Sequence, residues 1–322
     1  MSILITGATG FAGCHLVEHL HKKGYPSLHA LARHDRWPVG FESVKSLAKL
    51  WTCNLTDASH VRHVIAQTKP KQIYHLAGSV DPAQSNRDPS LAWQGNLVST
   101  QVLYSTLVEL QIMPRILHVS TGAVYGDVRQ TGQVINEQTE LRPNTPYATS
   151  KAAADLLGYQ IYRSHGLPII RVRPFNFIGP GLPARFALAH FAKQIAAIER
   201  GLQKPVLRVG QLSTERDLLD VRDLVEAYVL LMDRGKPGEV YNLAYGQTYP
   251  MRWFLDQLLA HCSIPIEVQV DPTLLRPADT ATVQVDLSNI RQTTGWQPKY
   301  QLAQTVMDVL NYYRSLNVSS MN

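Results

Sequence analysis

The stretch ILITGATGFAG, residues 3–13, runs from a short apolar segment into glycines with the spacing Gly-x-x-Gly-x-x-Gly. Glycines between a strand and a helix permit a tight turn and let the backbone approach a pyrophosphate closely. The following helix would add free N–H groups and the positive end of its dipole. An ordinary tight turn is the alternative, but an apolar strand before the loop and an amphipathic helix after it favour a dinucleotide site. The predicted cofactor contacts in the loop are Gly7, Gly10, Phe11, Ala12 and Gly13.

Short apolar, β-branched runs alternate with longer amphipathic runs from this loop to residue 173. Strands that alternate with helices in this way form a parallel sheet covered on both faces. The predicted fold is therefore α/β, a Rossmann-type doubly wound parallel sheet. Its predicted strands lie at 2–6, 28–32, 47–51, 72–76, 115–120 and 168–173. Its predicted helices lie at 11–23, from about 56, at about 91–110 and at 147–165.

The alternation breaks after residue 173, where the turn-rich stretch 179–183 introduces a different pattern. Gly and Pro clusters of this kind mark loops and turns. We predict a smaller, discontinuous C-terminal lobe that binds the substrate. Residues 1–175 and about 217–248 would form the dinucleotide-binding domain, and about 176–216 and 249–322 the substrate lobe.

The composition argues against several classes of protein. The net charge is +6, but the basic residues are dispersed, which argues against nucleic acid as a partner. No apolar run approaches the roughly 20 residues that span a bilayer, so no membrane is expected. The three cysteines, Cys14, Cys53 and Cys262, suit neither a disulfide framework nor a zinc site, so no metal is expected. The start of the chain lacks the features of a signal peptide, which favours a cytoplasmic location.

The stretch LARHDR, residues 31–36, bears on the choice of dinucleotide. An NAD site usually has an acid at the end of the second strand to hold the ribose 2′-hydroxyl. Here Arg33 and Arg36 could instead pair with a 2′-phosphate, because a guanidinium binds phosphate well. We therefore favour NADP(H), while Asp35 leaves NAD(H) open.

The sequence YATSK, residues 147–151, puts Tyr147 and Lys151 on one face of a helix. A nearby ammonium should lower the pKa of the phenol, which could then exchange a proton with a carbonyl or carbinol oxygen. The earlier sequence HVSTGAVYG, residues 118–126, ends a predicted strand with the hydroxyls of Ser120 and Thr121. They would lie at the carboxyl edge of the sheet, where ligands bind in such folds.

The glycine loop, the hydroxyls and the Tyr-x-x-x-Lys pair follow one another as in the extended short-chain dehydrogenase/reductase family, which the chain resembles over nearly its whole length. The resemblance implies a catalytic set of Thr121, Tyr147 and Lys151. Thr121 would bind the substrate oxygen, with its neighbour Ser120 as the second choice, and Lys151 would also bind the nicotinamide ribose. Asn96 resembles the asparagine that supports this lysine through water. Further implied cofactor contacts, near the adenine, ribose and pyrophosphate, are Asn54, Leu55, Leu76, Ala77 and Gly78.

Extended members of this family act on nucleotide sugars, so the resemblance implies a small-molecule substrate of this class, with a GDP-linked sugar favoured. Asn176, in the stretch RPFNFIGPG, residues 173–181, would contact the diphosphate or the sugar. Arginines in the later part of the chain would clamp the diphosphate, since a guanidinium binds oxyanions bidentately. The implied substrate contacts are Ser79, Thr121, Asn176, Lys193, Arg216 and Arg276. A homodimer through the helices at about 91–110 and 147–165 is also implied.

The residues that follow Thr121 bear on the reaction. Family members that are 4,6-dehydratases carry an acidic pair where this chain has Gly122 and Ala123. The dual epimerase–reductases that make GDP-fucose carry a cysteine and a histidine where it has Gly122 and Gly181. Neither pair of residues here can transfer a proton. Simple reduction of the C4 keto group of a nucleotide-linked 4-keto-6-deoxy sugar is therefore favoured. The resemblance implies that this sugar is GDP-4-keto-6-deoxy-D-mannose, reduced to GDP-6-deoxy-D-mannose. A 4-epimerase or a GDP-mannose 4,6-dehydratase on the same scaffold, and a non-catalytic dinucleotide-sensing protein, remain alternatives.

Overall fold

The computed structural model describes residues 1–79, 82–131, 133–275 and 283–317. The strands in these ranges are β1 (Ser2–Thr6), β2 (Ser27–Ala32), β3 (Lys49–Thr52), β4 (Gln72–His75), β5 (Arg115–Val119), β6 (Ile169–Pro174), β7 (Asn176–Ile178), β8 (Val206–Val209), β9 (Glu215–Asp220), β10 (Val240–Leu243), β11 (Thr248–Pro250) and β12 (Glu267–Val270). The α-helices are α1 (Phe11–Lys22), α2 (Ala58–Thr68), α3 (Pro82–Arg87), α4 (Pro89–Ala92), α5 (Ser99–Glu109), α6 (Pro146–His165), α7 (Ala187–Glu199), α8 (Val221–Arg234), α9 (Met251–Leu259), α10 (Ser288–Thr294) and α11 (Leu302–Ser315). A π-helical segment, Trp93–Val98, joins α4 to α5.

Seven strands form one sheet in the order β10-β6-β5-β4-β1-β2-β3. All neighbouring strands in it run parallel. The chain runs from β1 outward to β3 and then returns to β4 on the other side of β1, so the strand order reverses beside β1. Ligands of such sheets bind at this switch point, outside the carboxyl ends of the strands. The prediction of a Rossmann-type α/β fold is confirmed.

Helices cover both faces of this sheet because successive side chains of a buried strand point in opposite directions. Ile3 and Ile5 of β1 belong to the core on one face, which includes residues of α1 and α8. Leu4, between them, belongs to the core on the other face, together with residues of α2, α5 and α6. Strands buried on both faces read as continuous apolar runs, which is why they could be recognised in the sequence.

The remaining strands form two small sheets, one in the order β11-β9-β7 and the other pairing β12 with β8. Helices α7, α9 and α11 pack beside them around a separate apolar core that includes Phe191, Phe254 and Val306. Strand β10 belongs to the large sheet although it follows part of the small ones in sequence. The chain therefore leaves the large sheet after β6 and returns to it, and the predicted domain boundaries stay a prediction.

Candidate active site

The glycine loop joins β1 to α1. Gly10 is the N-cap residue of α1, and among the described residues no side chain caps this helix and no acid lies in its first turn. The positive end of the helix dipole is thus available to an anion such as a pyrophosphate. A Cβ added to Gly13 would lie 2.3 Å from the carbonyl oxygen of Gly7 and 2.7 Å from Cα of Ala8. Only glycine allows the helix to start so close to the loop, so the predicted contacts at residues 7–13 form one compact turn.

The end of β2 adjoins this loop, since the backbone N–H of Gly7 donates to the carbonyl of Leu31 at 2.9 Å. Arg33 and Arg36 follow β2, and Asp35 lies between them; all three are exposed. They stand where such folds place the adenosine ribose. Both kinds of group, cations for a 2′-phosphate and an acid for a 2′-hydroxyl, are thus present, and the preference between them stays a prediction.

The ends of β3 and β4 carry the other predicted cofactor contacts. Leu55 is buried, whereas Asn54 is exposed and its Oδ1 accepts hydrogen bonds from the backbone N–H and the hydroxyl of Thr56, at 3.2 and 3.0 Å. Residues 76–79, which include Leu76, Ala77, Gly78 and Ser79, follow β4 directly. The N–H of Leu76 donates to the backbone carbonyl of Thr6 at 3.2 Å, so this segment borders the glycine loop. The cofactor roles of residues 54, 55 and 76–78 and the substrate role of Ser79 stay predictions.

Helix α6 carries both residues of the Tyr-x-x-x-Lys pair at its start. The hydroxyl of Thr145 caps the helix by accepting a hydrogen bond from the N–H of Ala148 at 3.2 Å. Threonine is a preferred residue at this position because it satisfies an N–H that has no partner within the helix. Tyr147 therefore lies in the first turn, and Lys151 lies one turn further along the same face.

The structure brings Thr121, Tyr147 and Lys151 together at the carboxyl edge of the large sheet. Thr121 and Tyr147 form a side-chain hydrogen bond. The ammonium of Lys151 donates to the carbonyl of Val119, the last residue of β5, two positions before Thr121. A Cβ added to Gly78 would lie 3.7 Å from Nζ of Lys151, so this lysine also borders the segment after β4. A phenol, a hydroxyl and an ammonium thus converge beside the predicted cofactor groove.

Burial governs the ionisation of both residues of the pair. It raises the pKa of Tyr147, although the hydrogen bond with Thr121 acts in the opposite direction. Burial also lowers the pKa of Lys151 to about 8, opposed by the carboxylate of Asp155. The sequence predicts a lowered pKa for the phenol. The direction differs because partial removal of the half-buried ring from water disfavours the phenolate more than Thr121 favours it.

A buried ion cluster lies one turn beyond Lys151 on α6. Asp155 is fully buried and accepts hydrogen bonds from Arg171 at 2.8 Å and from Arg173 at 2.9 and 3.1 Å. Although burial alone would raise it, these arginines lower the pKa of Asp155 to about 2. Asp155 was not predicted from the sequence. Its spacing of four residues from Lys151 was visible, but its partners come from β6.

Asn96 lies in the π-helical segment and contacts both sides of the site. Its Oδ1 accepts a hydrogen bond from the N–H of Ser79 at 2.8 Å, and its Nδ2 donates to the hydroxyl of Ser150 at 2.9 Å. Ser150 directly precedes Lys151. Single π turns inside helices occur often at functional sites. This side chain therefore joins the segment after β4 to the helix that carries the lysine.

The predicted substrate residues lie on several elements. Asn176 begins β7 and is exposed; β7 pairs with β9, where Asn176 faces Leu218 and Arg216 lies two residues earlier. Asn176 and Arg216 thus share one small sheet beside the large one. Lys193 is half-buried on α7. Arg276 lies outside the described residues. The substrate roles of all these residues stay predictions.

The described part of the chain shows no group of three or more histidine, cysteine, aspartate or glutamate side chains that could hold a metal ion. Its three cysteines, Cys14, Cys53 and Cys262, form no disulfide. No helix within the same residues is long and apolar enough to cross a membrane.

The chain matches the model of the family GDP-mannose 4,6 dehydratase over residues 4–309. It is 32% identical over 320 residues to GDP-6-deoxy-D-mannose reductase of Pseudomonas aeruginosa, and the match covers 97% of both chains. It is similar to the solved structure of RMD from Pseudomonas aeruginosa complexed with NADPH, with a TM-score of 0.85, 30% identity, and coverage of 98% of this chain and 99% of that one. The UDP-glucose 4-epimerase of Thermus thermophilus in complex with NAD matches with a TM-score of 0.85, 26% identity, and coverage of 98% and 99%. The chain therefore belongs to the GDP-mannose 4,6-dehydratase family of the extended short-chain dehydrogenase/reductases, and it is an NAD(P)-dependent oxidoreductase.

Proposed function

We propose that the chain uses NADPH to reduce the C4 keto group of GDP-4-keto-6-deoxy-D-mannose to GDP-6-deoxy-D-mannose. The observation that carries this proposal is the group formed by Thr121, Tyr147 and Lys151. The two residues after Thr121 are Gly122 and Ala123, whose side chains transfer no proton. A reduction needs one proton donor, whereas a dehydration needs a further acid and base. The similarity to a GDP-6-deoxy-D-mannose reductase supports the guanine nucleotide.

Reduction requires a proton donor beside the keto oxygen. Because burial raises the pKa of Tyr147, its phenol carries its proton at neutral pH. The chemistry that NADPH supplies when bound is a hydride for C4. Tyr147 then donates its proton to the C4 oxygen as negative charge develops there, and the hydroxyl of Thr121 orients the same oxygen. Lys151, with a pKa of about 8, is mostly cationic at neutrality and favours the developing charge.

The space beside the proton donor supports reduction over dehydration. A Cβ added to Gly122 would lie 2.8 Å from three ring atoms of Phe175. The ring stacks on Tyr125, with centroids 6.2 Å apart and planes inclined by 15°. The hydroxyl of Tyr125 in turn donates to Asn242 at 2.8 Å and accepts from Arg173 at 2.9 Å. A carboxyl side chain at position 122, the place of one acid in dehydratases of this family, would require Phe175 to move.

The preference for NADPH rests on Arg33 and Arg36, which follow β2, and is supported by the NADPH complex of the similar RMD structure. The NAD complex of the similar UDP-glucose 4-epimerase keeps NAD(H) as the alternative. Arg33→Ala combined with Arg36→Ala should lower kcat/KM for NADPH at least tenfold and leave that for NADH within about twofold, since a charge-assisted hydrogen bond contributes about 1.5–3 kcal/mol. An equal loss with both cofactors would refute this preference.

The reaction is tested by incubating the purified chain with GDP-4-keto-6-deoxy-D-mannose and NADPH. We expect oxidation of NADPH and formation of the GDP-6-deoxy sugar. The matched control is Tyr147→Phe, which keeps the ring and should retain NADPH binding but lose nearly all turnover. Near-normal turnover by this variant would contradict the assigned proton donor, and inactivity of the unaltered chain would contradict the reductase.

The alternatives have distinct outcomes in the same assay. Conversion of GDP-mannose alone to its 4-keto-6-deoxy product would identify a GDP-mannose 4,6-dehydratase, the activity that gives the family its name. Interconversion of C4 epimers without net use of NADPH would identify a 4-epimerase. NADPH binding without turnover of any of these sugars would identify a dinucleotide-sensing protein.

We also propose that two copies of the chain associate through the surface formed by α4, the π-helical segment and α6. Four large apolar side chains on these elements are 37–55% exposed: Leu91, Trp93, Leu156 and Tyr159. Grouped apolar residues on a surface mark interfaces more often than single ones do. Leu156→Glu should convert a dimer into a monomer in light scattering, whereas Leu202→Glu, an equally exposed position elsewhere, should not. A monomeric unaltered chain would refute the dimer.

A further inference from the structure

We propose that His75 is a positioning residue: through a directional chain of hydrogen bonds it fixes Asn96, and through Asn96 it fixes Ser79 and Lys151. The inference rests on the proposed function in one respect, because turnover is one of the two measurements that test it. His75 ends β4 and is 1% exposed, so it does not touch a substrate itself.

The chain of hydrogen bonds crosses the core between the glycine loop and the π-helical segment. His75 Nδ1 lies 2.8 Å from the hydroxyl of Thr6, which also accepts the N–H of Ala77 at 3.2 Å. On the other side of the ring, His75 Nε2 lies 2.9 Å from the hydroxyl of Thr100, and this hydroxyl donates to the carbonyl of Asn96 at 2.6 Å. One imidazole thus links the end of β1 to the backbone of Asn96.

The positions of the hydrogens follow from the partners. The carbonyl of Asn96 can only accept, so the single hydrogen of the Thr100 hydroxyl points to it. Thr100 must then accept from His75, which places the ring proton on Nε2. In a neutral imidazole Nδ1 is consequently an acceptor, and Thr6 donates to it while accepting from Ala77. Every donor in this series of hydrogen bonds therefore points toward Asn96. The other tautomer of His75 would lose the hydrogen bond to Thr100 and would reverse the one to Thr6, whose hydroxyl would then accept from Nδ1.

The surroundings keep His75 neutral, as this arrangement requires. Burial and the nearby charge of Lys151 lower its pKa to about 3. The ring of His118 lies beside it, with centroids 5.5 Å apart, and burial lowers the pKa of His118 as well. His118 has its own partner, the hydroxyl of Tyr104 at 2.8 Å from Nδ1, so it does not compete for Thr100.

The series of hydrogen bonds ends at Asn96, and a displacement of Asn96 would be passed on to the reacting groups. The carbonyl of Asn96 belongs to the π-helical segment, and single π turns inside α-helices occur often at functional sites. The side chain of Asn96 holds the N–H of Ser79 and the hydroxyl of Ser150, next to Lys151. A displaced Asn96 would therefore move the lysine and the segment after β4 together.

The first experiment compares Thr100→Val, which removes the hydroxyl at nearly constant volume, with Thr100→Ser, which retains it. Thr100 is 1% exposed and lies outside the proposed binding and catalytic groups. We expect Thr100→Val to lower kcat about tenfold, because a misplacement of about 1 Å can cost about 100-fold. Because Lys151 and the segment after β4 carry predicted cofactor contacts, the Kd for NADPH should also rise in Thr100→Val, whereas Thr100→Ser should keep most of kcat and of the NADPH affinity. An unchanged kcat in Thr100→Val, or an equal loss in both variants, would overturn the inference.

The second experiment uses the folded chain without substrate. Nitrogen-15 NMR of labelled histidine distinguishes the two neutral tautomers from each other and from the cation. We expect the His75 signal, assigned with His75→Gln, to report a neutral ring protonated on Nε2 from pH 5 to 8, and Thr100→Val to shift that signal. A proton on Nδ1, or titration in this range, would overturn the inference whatever the activity. Failure of the unaltered chain to reduce a keto sugar would instead count against the proposed function alone.

Discussion

Replacing Gly122 by alanine tests whether the ring of Phe175 closes the space beside the proton donor. The φ of Gly122 is not positive, so alanine is compatible with its backbone, and at an open site it would stabilise by about 0.4–1 kcal/mol through the unfolded chain. Here the new Cβ would lie 2.8 Å from three ring atoms, whereas carbon atoms pack at about 3.5–4.0 Å. Overpacking costs about 1–3 kcal/mol. We therefore expect Gly122→Ala to lower the free energy of unfolding by about 1–2 kcal/mol.

Urea denaturation of Gly122→Ala, Phe175→Ala and the double variant provides the assay. If the ring causes the clash, the cost of Gly122→Ala should disappear in the Phe175→Ala background, with a coupling energy of about 1–3 kcal/mol. Gly158→Ala is the control: its Cβ would meet Ile169 at an ordinary 3.5 Å, and it should stabilise α6 by up to about 1 kcal/mol. If Gly122→Ala were as stable as the unaltered chain, the ring of Phe175 would not fill the space beside Gly122. The case against a dehydratase would then be weaker.

Three further predictions concern charge and capping. Asp155→Asn should lower the free energy of unfolding by about 3–5 kcal/mol, since two buried arginines lose the negative charge that compensates theirs. It should also move the change in activity that follows deprotonation of Lys151 to lower pH, because the carboxylate raises the pKa of that lysine. Burial raises the pKa of Asp217 to about 6 from an ordinary 3.8. The folded chain thus binds this proton more tightly than the unfolded chain. The free energy of unfolding should therefore fall by up to about 3 kcal/mol as the pH rises from about 4 to 6. Denaturation of Asp217→Asn should not show this fall. Thr145→Ala should cost about 1 kcal/mol through the lost cap of α6, and assays at equal folded fraction should show a lower kcat because Tyr147 lies in the first turn.

The large sheet could be predicted because its strands are buried on both faces and therefore read as apolar runs. The start of β3 could not, although Leu47 and Ala48 are apolar. The N–H of Leu47 donates to the carbonyl of Val44 at 3.0 Å and so completes a 3-10 turn. The strand begins at Lys49 instead. The spacing of apolar residues at 91–110 predicted one helix but not its π turn. One additional residue alters this spacing too little to be recognised in the sequence.

The convergence of Thr121, Tyr147 and Lys151 could be anticipated because the last two share a helix face and the first ends a strand at the same edge of the sheet. The direction of the pKa shift of Tyr147 could not, since spacing carries no information on burial. His75 lay within the predicted strand at 72–76, yet its proposed role depends on Thr100 from another element. Polar groups joined across the core are visible only once the chain has folded.

The π turn at Trp93–Val98 contains one residue more than an α-helical turn would. This residue sets which way the side chains of α4 face relative to those of α5. Leu91, before it, points to the surface, whereas Leu103 and Leu107, after it, are fully buried. Each residue advances an α-helix by about 100°. Deletion of a single codon here would convert α4, the π turn and α5 into one regular helix, and α4 would be rotated relative to α5 by that angle. Such a deletion would leave the helix content intact, and yet the side chains of either α4 or α5 would face the wrong surroundings.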